Sequence, residues 1–164
     1  MLIVSSVSYA DNNGGDFKNN GDGTITDLKS GLMWKICSEG QEWNGVECDG
    51  VPFNTINTST DEIKYEYAGY YNWRIPTAYE LEAIVVCVHP KSKEEDYRDQ
   101  YLGCNSDYKV PTIFSHIFPN TRPVKYWSST ISSLGYAESV SFRTGAKYID
   151  RLSDRYSVRL VRAP

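Results

Sequence analysis

Nowhere in its 164 residues does this chain run apolar for the roughly 20 residues that a bilayer-crossing helix needs, so a membrane-spanning helix is excluded within it. Histidine is scarce, with His89 and His116 only. That leaves few bases for a serine or cysteine nucleophile, and no catalytic residue is expected. The four cysteines, Cys37, Cys48, Cys87 and Cys104, lack the close Cys-x-x-Cys pairs of a zinc site. No internal repeat, Gly-X-Y run or low-complexity linker occurs. A net charge of −4 removes any general attraction for nucleic acid.

What is present suits one domain with a substantial core: 40% hydrophobic and 13% aromatic residues, including 13 tyrosines. Tyrosine supplies contact area at low entropic cost, which suits binding surfaces, and it suits strands equally well. The charge is unevenly spread. Residues 121–164 hold eight lysines and arginines against three acids, giving +5, whereas residues 1–120 hold nine against eighteen, giving −9.

The first ten residues, Met1 to Ala10, are a short apolar run ending in Ser8-Tyr9-Ala10. They read as the end of a signal peptide, with a single domain at 11–164; an ordinary first strand is the alternative. Export agrees with the cysteines. Four cysteines allow three pairings, and neighbour pairing, 37–48 and 87–104, closes two short loops in an oxidising compartment. Zinc is the rival for the same residues.

The organising stretch is Gly69-Tyr-Tyr-Asn-Trp-Arg-Ile-Pro-Thr-Ala-Tyr-Glu-Leu81. Pro76 biases Ile75 toward an extended conformation, Thr77 fits an N-cap, and Glu80 can close a capping box. Leu81, Ile84, Val85 and Val88 recur at helical spacing, so a helix is expected over about 78–88, ended by Pro90. Trp73 and Ile75 should face the core, with Arg74 paired to a carboxylate. Ser59-Thr-Asp-Glu62 predicts a second short helix to about Ala68, with Ile63 and Tyr67 inward and Gly69 ending it.

Asn20-Gly21 and Asp22-Gly23 mark a hairpin between Phe17 and Ile25. A calcium loop aligned on Asp22-Gly23 would place Lys18 at its first ligand position, which argues against calcium, and no cofactor is expected. Gly31 to Trp34 reads as another strand, Cys37 to Gly50 as a turn-rich hairpin or loop, and 89–125 as a long irregular region. Strands are expected from Tyr126, over Ala137 to Phe142, over Lys147 to Leu152, and over Tyr156 to Val161 with Arg159 outward. The resulting class is α+β, with two short helices packed on small antiparallel sheets and a long loop region.

Four segments in this order resemble the Lcl C-terminal domain family, formerly a domain of unknown function. They are Asn20 to Asp27 with Gly31-Leu-Met-Trp34, Gly69 to Leu81, Tyr126-Trp-Ser-Ser-Thr130, and Val158-Arg-Leu-Val-Arg162. The Cys37–Cys48 insert and Phe118-Pro-Asn-Thr121 also fit. The resemblance spans about residues 16–162 and implies an exported bacterial protein with a C-type-lectin-like fold. It also implies a likeness to the formylglycine-generating sulfatase-modifying enzymes, which share a form of Arg74-Ile-Pro-Thr77 with Glu80. Their late pair of reactive cysteines is missing, since no cysteine follows Cys104. The family's type member binds sulfated glycosaminoglycans from the tip of a collagen-like stalk. The ending Arg159 to Ala163 further resembles lectin-fold receptors diversified by retroelements.

Together these readings point to an exported, lectin-like binding module whose partner is a polyanionic glycan or a surface protein. A structural or protein-binding component of a surface appendage is the alternative. Calcium-mediated sugar binding is not expected, because neither Glu-Pro-Asn nor Gln-Pro-Asp occurs and Phe118-Pro-Asn120 lacks the acid. The candidate ligand residues are Lys125, Tyr126, Arg143, Lys147, Tyr148, Arg151 and Arg155, as one basic face with Lys147 and Arg151 on the same side.

Overall fold

The computed structural model describes residues 8–10, 16–55, 66–87, 103–104 and 108–164. The chain is organised by three antiparallel sheets. The first runs β1 (Ser8–Ala10), β2 (Asp16–Asn19), β3 (Thr24–Asp27), β4 (Met33–Lys35) and β10 (Val161–Arg162), in that order. The last strand therefore returns to the first motifs of the chain, with Val161 opposite Trp34 and Arg162 opposite Met33. Arg74 bridges Val161 on the other side, which draws the Gly69–Leu81 stretch onto the same sheet. β5 (Glu42–Trp43) and β6 (Cys48–Asp49) form a small hairpin tied by the Cys37–Cys48 disulfide. β7 (Lys125–Ser133), β8 (Tyr136–Ser141) and β9 (Lys147–Arg151) form the third sheet.

Local chemistry accounts for the hairpins. Asp22 accepts from the Thr24 N–H at 3.0 Å and from its hydroxyl, so the carboxylate is committed to the turn between β2 and β3. Among the described residues no cluster of acidic, histidine or cysteine side chains is arranged to hold a metal. Gly23 has φ +83, a conformation that favours glycine, and a Cβ there would displace the Tyr67 hydroxyl.

Two apolar clusters fill the interior. The larger gathers Phe17, Ile25 and Trp34 from the first sheet, Leu81 and Ile84 from the helical region, Phe114, Ile117 and Phe118 from the long loop, and Tyr126, Val140 and Phe142 from the third sheet. Phe118 meets Trp34 and Phe17 edge-on at 6.3 and 6.1 Å. The smaller cluster holds Trp73, Ile75, Trp127, Ala137, Val158 and Leu160, so Trp73 and Ile75 are buried as expected.

The α+β, two-helix, C-type-lectin-like expectation is corrected by this architecture. The fold is mostly β, and among the described residues there is one short helix, α1 (Ala78–Ala83). Its start is as read: Thr77 accepts from the Glu80 N–H, and Glu80 accepts from the Thr77 N–H at 2.7 Å. Arg74 donates two hydrogen bonds to the same carboxylate, at 2.8 and 2.6 Å. Its end is not. Ile84-Val85-Val86 is a β-branched run that prefers extended backbone. Val85 leaves the helix to bridge Ile113, and Val86 donates to the Thr112 carbonyl at 3.0 Å. The Cys87–Cys104 disulfide anchors that extended exit. Val88, Pro90 and most of the second predicted helix, with Ser59 to Glu62 and Ile63, lie outside the described residues. Its expected end is no helix: Tyr67 and Tyr70 exchange two hydrogen bonds of 3.0 Å around Ala68 (φ 52) and Gly69 (φ 79), a tight hairpin turn.

Candidate functional site

Alternation along the third sheet sorts the predicted ligand residues onto different faces. Lys125 lies opposite Ser141, Trp127 opposite Ser139, Ser139 opposite Tyr148, and Ala137 opposite Asp150, so these residues share one face. Tyr126 opposite Val140, Val140 opposite Lys147, and Tyr136 opposite Arg151 share the other. The single basic face is therefore not formed.

Tyr126 is completely buried, and its hydroxyl lies 2.8 Å from that of Ser38. It is a core residue and cannot offer its ring to a ligand. Lys147 does share a side with Arg151, but its ammonium lies 3.7 Å from Glu82 of α1 and 3.6 Å from Glu138. Arg143 sits in the turn after β8 and Arg151 at the far end of β9, on the order of 15 Å apart at about 3.3 Å per residue. Arg143, Arg151 and Arg155 are exposed. Arg159, expected outward, is completely buried, and Arg162 is nearly so.

One cluster does assemble. The Lys125 ammonium donates to both oxygens of Asp150, at 2.8 and 3.0 Å, and lies 4.1 Å from the Tyr148 ring centroid and 5.1 Å from that of Tyr156. Ser139 donates to Asp150 at 2.6 Å. The Tyr156 ring also packs on Trp127 at 4.7 Å, which anchors the cluster to the smaller core. Partial burial disfavours the charged Lys125, but the Asp150 carboxylate outweighs it and holds the lysine above its usual range. Burial pushes the Tyr156 phenol up, and the neighbouring Asp150 pushes it further. At neutral pH the lysine is thus charged and the phenol protonated. Tyr148 keeps about a third of its surface exposed beside them. The arrangement is a preorganised aromatic and polar patch: it can stack a flat apolar face and hydrogen-bond hydroxyls or oxyanions at its rim. The exposed Arg155 precedes Tyr156 directly, and the exposed Arg122 lies three residues before Lys125.

Of the residues in this cluster, sequence reasoning named Lys125 and Tyr148 and did not name Asp150 and Tyr156. The period-two pattern of Lys147 to Arg151 already placed Tyr148 and Asp150 on one side; the signal overlooked was the acid between two basic residues.

The family model described as the Lcl C-terminal domain matches residues 23–162. The chain belongs to the Lcl C-terminal domain family. No curated protein matches it significantly. The matched range runs from the Gly23 turn to β10, so the Lcl C-terminal domain here includes the capping box, both disulfides and the Lys125–Asp150 cluster. All four cysteines are in the two expected bridges, which removes the zinc alternative for them. Two disulfides suit an oxidising compartment, and no helix among the described residues is long and apolar enough to cross a membrane.

Proposed function

We propose that this Lcl C-terminal domain is a secreted recognition module of the bacterial cell surface that binds an anionic, glycosaminoglycan-like glycan through the Lys125–Asp150–Tyr148–Tyr156 face of the third sheet. The observation that carries the reading is the half-open Tyr148 ring fixed beneath a charged lysine that Asp150 holds in place. A rigid aromatic ring next to fixed polar groups suits a pyranose, whose one face is apolar and whose edge carries hydroxyls. Arg122 and Arg155, both exposed and close in sequence to Lys125 and Tyr156, are the cations proposed to attract sulfate or carboxylate. We read the role as binding: Asp150 already accepts from Lys125 and Ser139, and the late cysteine pair of formylglycine chemistry has no counterpart after Cys104.

A glycan array probed at low and moderate salt, with wild type and Tyr148→Ala in parallel, tests this. Sulfated or uronate-containing glycans should be retained by wild type, and at least tenfold less by the variant. Equal retention by both would remove this face from recognition. A protein partner in a surface assembly is the second reading. It is favoured by the β7–β8 hairpin tip, where Leu134 is fully exposed and Ile131 and Tyr136 are also exposed.

A further inference from the structure

Two arginines of the C-terminal strand region enter the interior three residues apart, and their surroundings differ. Arg159 has no exposed surface; its guanidinium donates to the carbonyls of Lys35 and Ile36 and to the hydroxyls of Ser38 and Thr121, and it lies over the Phe118 ring. Arg162 keeps 8% of its surface. Its Nε donates to Oδ1 of Asn72 at 2.7 Å, and Nη1 reaches only the thioether of Met33 at 3.7 Å, a weak acceptor. Nη2 bonds no protein atom among the described residues and is not sealed from solvent. Among those residues no carboxylate pairs with Arg162. The Tyr70 ring packs 4.1 Å from the guanidinium carbon.

A guanidinium this deeply buried is ordinarily paired with a carboxylate or bonded through most of its N–H groups. Arg159 follows that rule through neutral acceptors, and Arg162 does not. Its unsatisfied edge opens beside Tyr70 and Asn72, with Tyr71 next to them and two-thirds exposed. Because Oδ1 of Asn72 is held by Nε, the amide NH2 of Asn72 is left to serve as a further donor.

We propose that Arg162 and Asn72 form an oxyanion pocket for the carboxylate or sulfate of an acidic sugar, whose ring lies against Tyr70 or Tyr71. The planar fork of an arginine matches both anions, and the tyrosines supply the stacking surface. The pocket is separate from the Lys125–Tyr148 cluster; only the choice of a sugar as the body of the ligand rests on the glycan reading above.

The test is an NMR titration of the 15N-labelled full chain with disulfides intact, at constant ionic strength held with sodium chloride. The Arg162 Nε–H and Asn72 side-chain amide signals are followed as sodium sulfate, sodium glucuronate or glucose is added. Saturable shifts with either anion and none with glucose support the pocket. Sulfate alone assigns it to sulfate esters, and glucuronate alone to uronates. Asn72→Ala should weaken binding at least tenfold in protein that remains folded, and Arg162→Lys should abolish it. If Arg162→Lys does not fold, the wild-type titration and Asn72→Ala decide. No shift at Arg162, or shifts confined to the exposed Arg122, Arg143, Arg151 and Arg155, would overturn the pocket. The Tyr148→Ala comparison on the array would still decide the glycan reading independently.

Discussion

Replacing Arg159 sets two large effects against each other. Its guanidinium makes hydrogen bonds of 3.1 Å to Lys35 O, 3.3 Å to Ser38 Oγ and 2.7 Å to Thr121 Oγ1, and a further one to Ile36 O. Bonds from a charged donor contribute about 1.5–3 kcal/mol each, and an acceptor left unsatisfied in the interior costs about 1–3 kcal/mol. Against this stands the cost of burying a cation, several kcal/mol, with no carboxylate in ion-pair contact among the described residues. Burial accordingly lowers the Arg159 pKa, and the neighbouring Tyr126 and Glu39 oppose that only in part. Arg159→Met keeps most of the volume, removes the cost of the charge and loses all the bonds; the net expectation is a loss of about 2–4 kcal/mol. Arg159→Lys keeps the cost of the charge, cannot reach four acceptors spread over two segments, and loses the flat stack on Phe118. Its expected loss is about 3–5 kcal/mol, so the conservative change should be no better than the apolar one. Urea denaturation followed by tryptophan fluorescence, with disulfides intact, measures both. A lysine variant at wild-type stability would show that charge, not the fork, is what the site requires. A neutral methionine variant would show that the bonds contribute nothing net.

Three further outcomes follow from local geometry. Ala68 is held at φ 52, so Ala68→Gly or Ala68→Asn should stabilise the Tyr67–Tyr70 turn by roughly 0.5–1 kcal/mol in the same melts, and a destabilised variant would contradict the assigned turn. Trp73→Ala removes a buried ring from the smaller core and should cost about 3–5 kcal/mol; a neutral result would take Trp73 out of that core. Burial pushes the Glu80 carboxyl up, but Arg74 and the Thr77 N–H together hold it below the ordinary glutamate range. A lowered carboxylate pKa contributes stability above the unfolded value, and that contribution is lost as pH falls through the folded value. Glu80→Gln should therefore be destabilised at pH 7, and the gap to wild type should close as the pH falls through the lowered carboxyl value. A stability gap that does not change with pH would refute the ion pair's role.

What was legible in the sequence was mostly local. Thr77 and Glu80 are three residues apart, each disulfide joins neighbouring cysteines, and Pro76 separates an extended segment from a helix; such signals need no knowledge of the rest of the fold. The helix end was misread because apolar spacing at Leu81, Ile84 and Val85 fits a helix, while the β-branched run favours the bridge to Ile113, a partner far along the chain. Arg159 and Tyr126 were misplaced for a shared reason. Alternation predicts an outward side only when one face of a strand meets water, and here both segments run between the two core clusters. Lys147 was read as a free surface charge because Glu82, its acid on the helix, is brought to it only by the tertiary fold.

Titration of the domain with heparin across a salt series tests the central claim most directly. If Lys125, Arg122 and Arg155 meet the polyanion, three cations release bound counterions, and affinity should fall roughly 10- to 50-fold between about 50 and 200 mM salt. Arg122→Glu with Arg155→Glu should remove most of that binding and its salt dependence while leaving the melting temperature unchanged. An affinity that does not change with salt, or full binding by the double variant, would contradict electrostatic glycan recognition at this face.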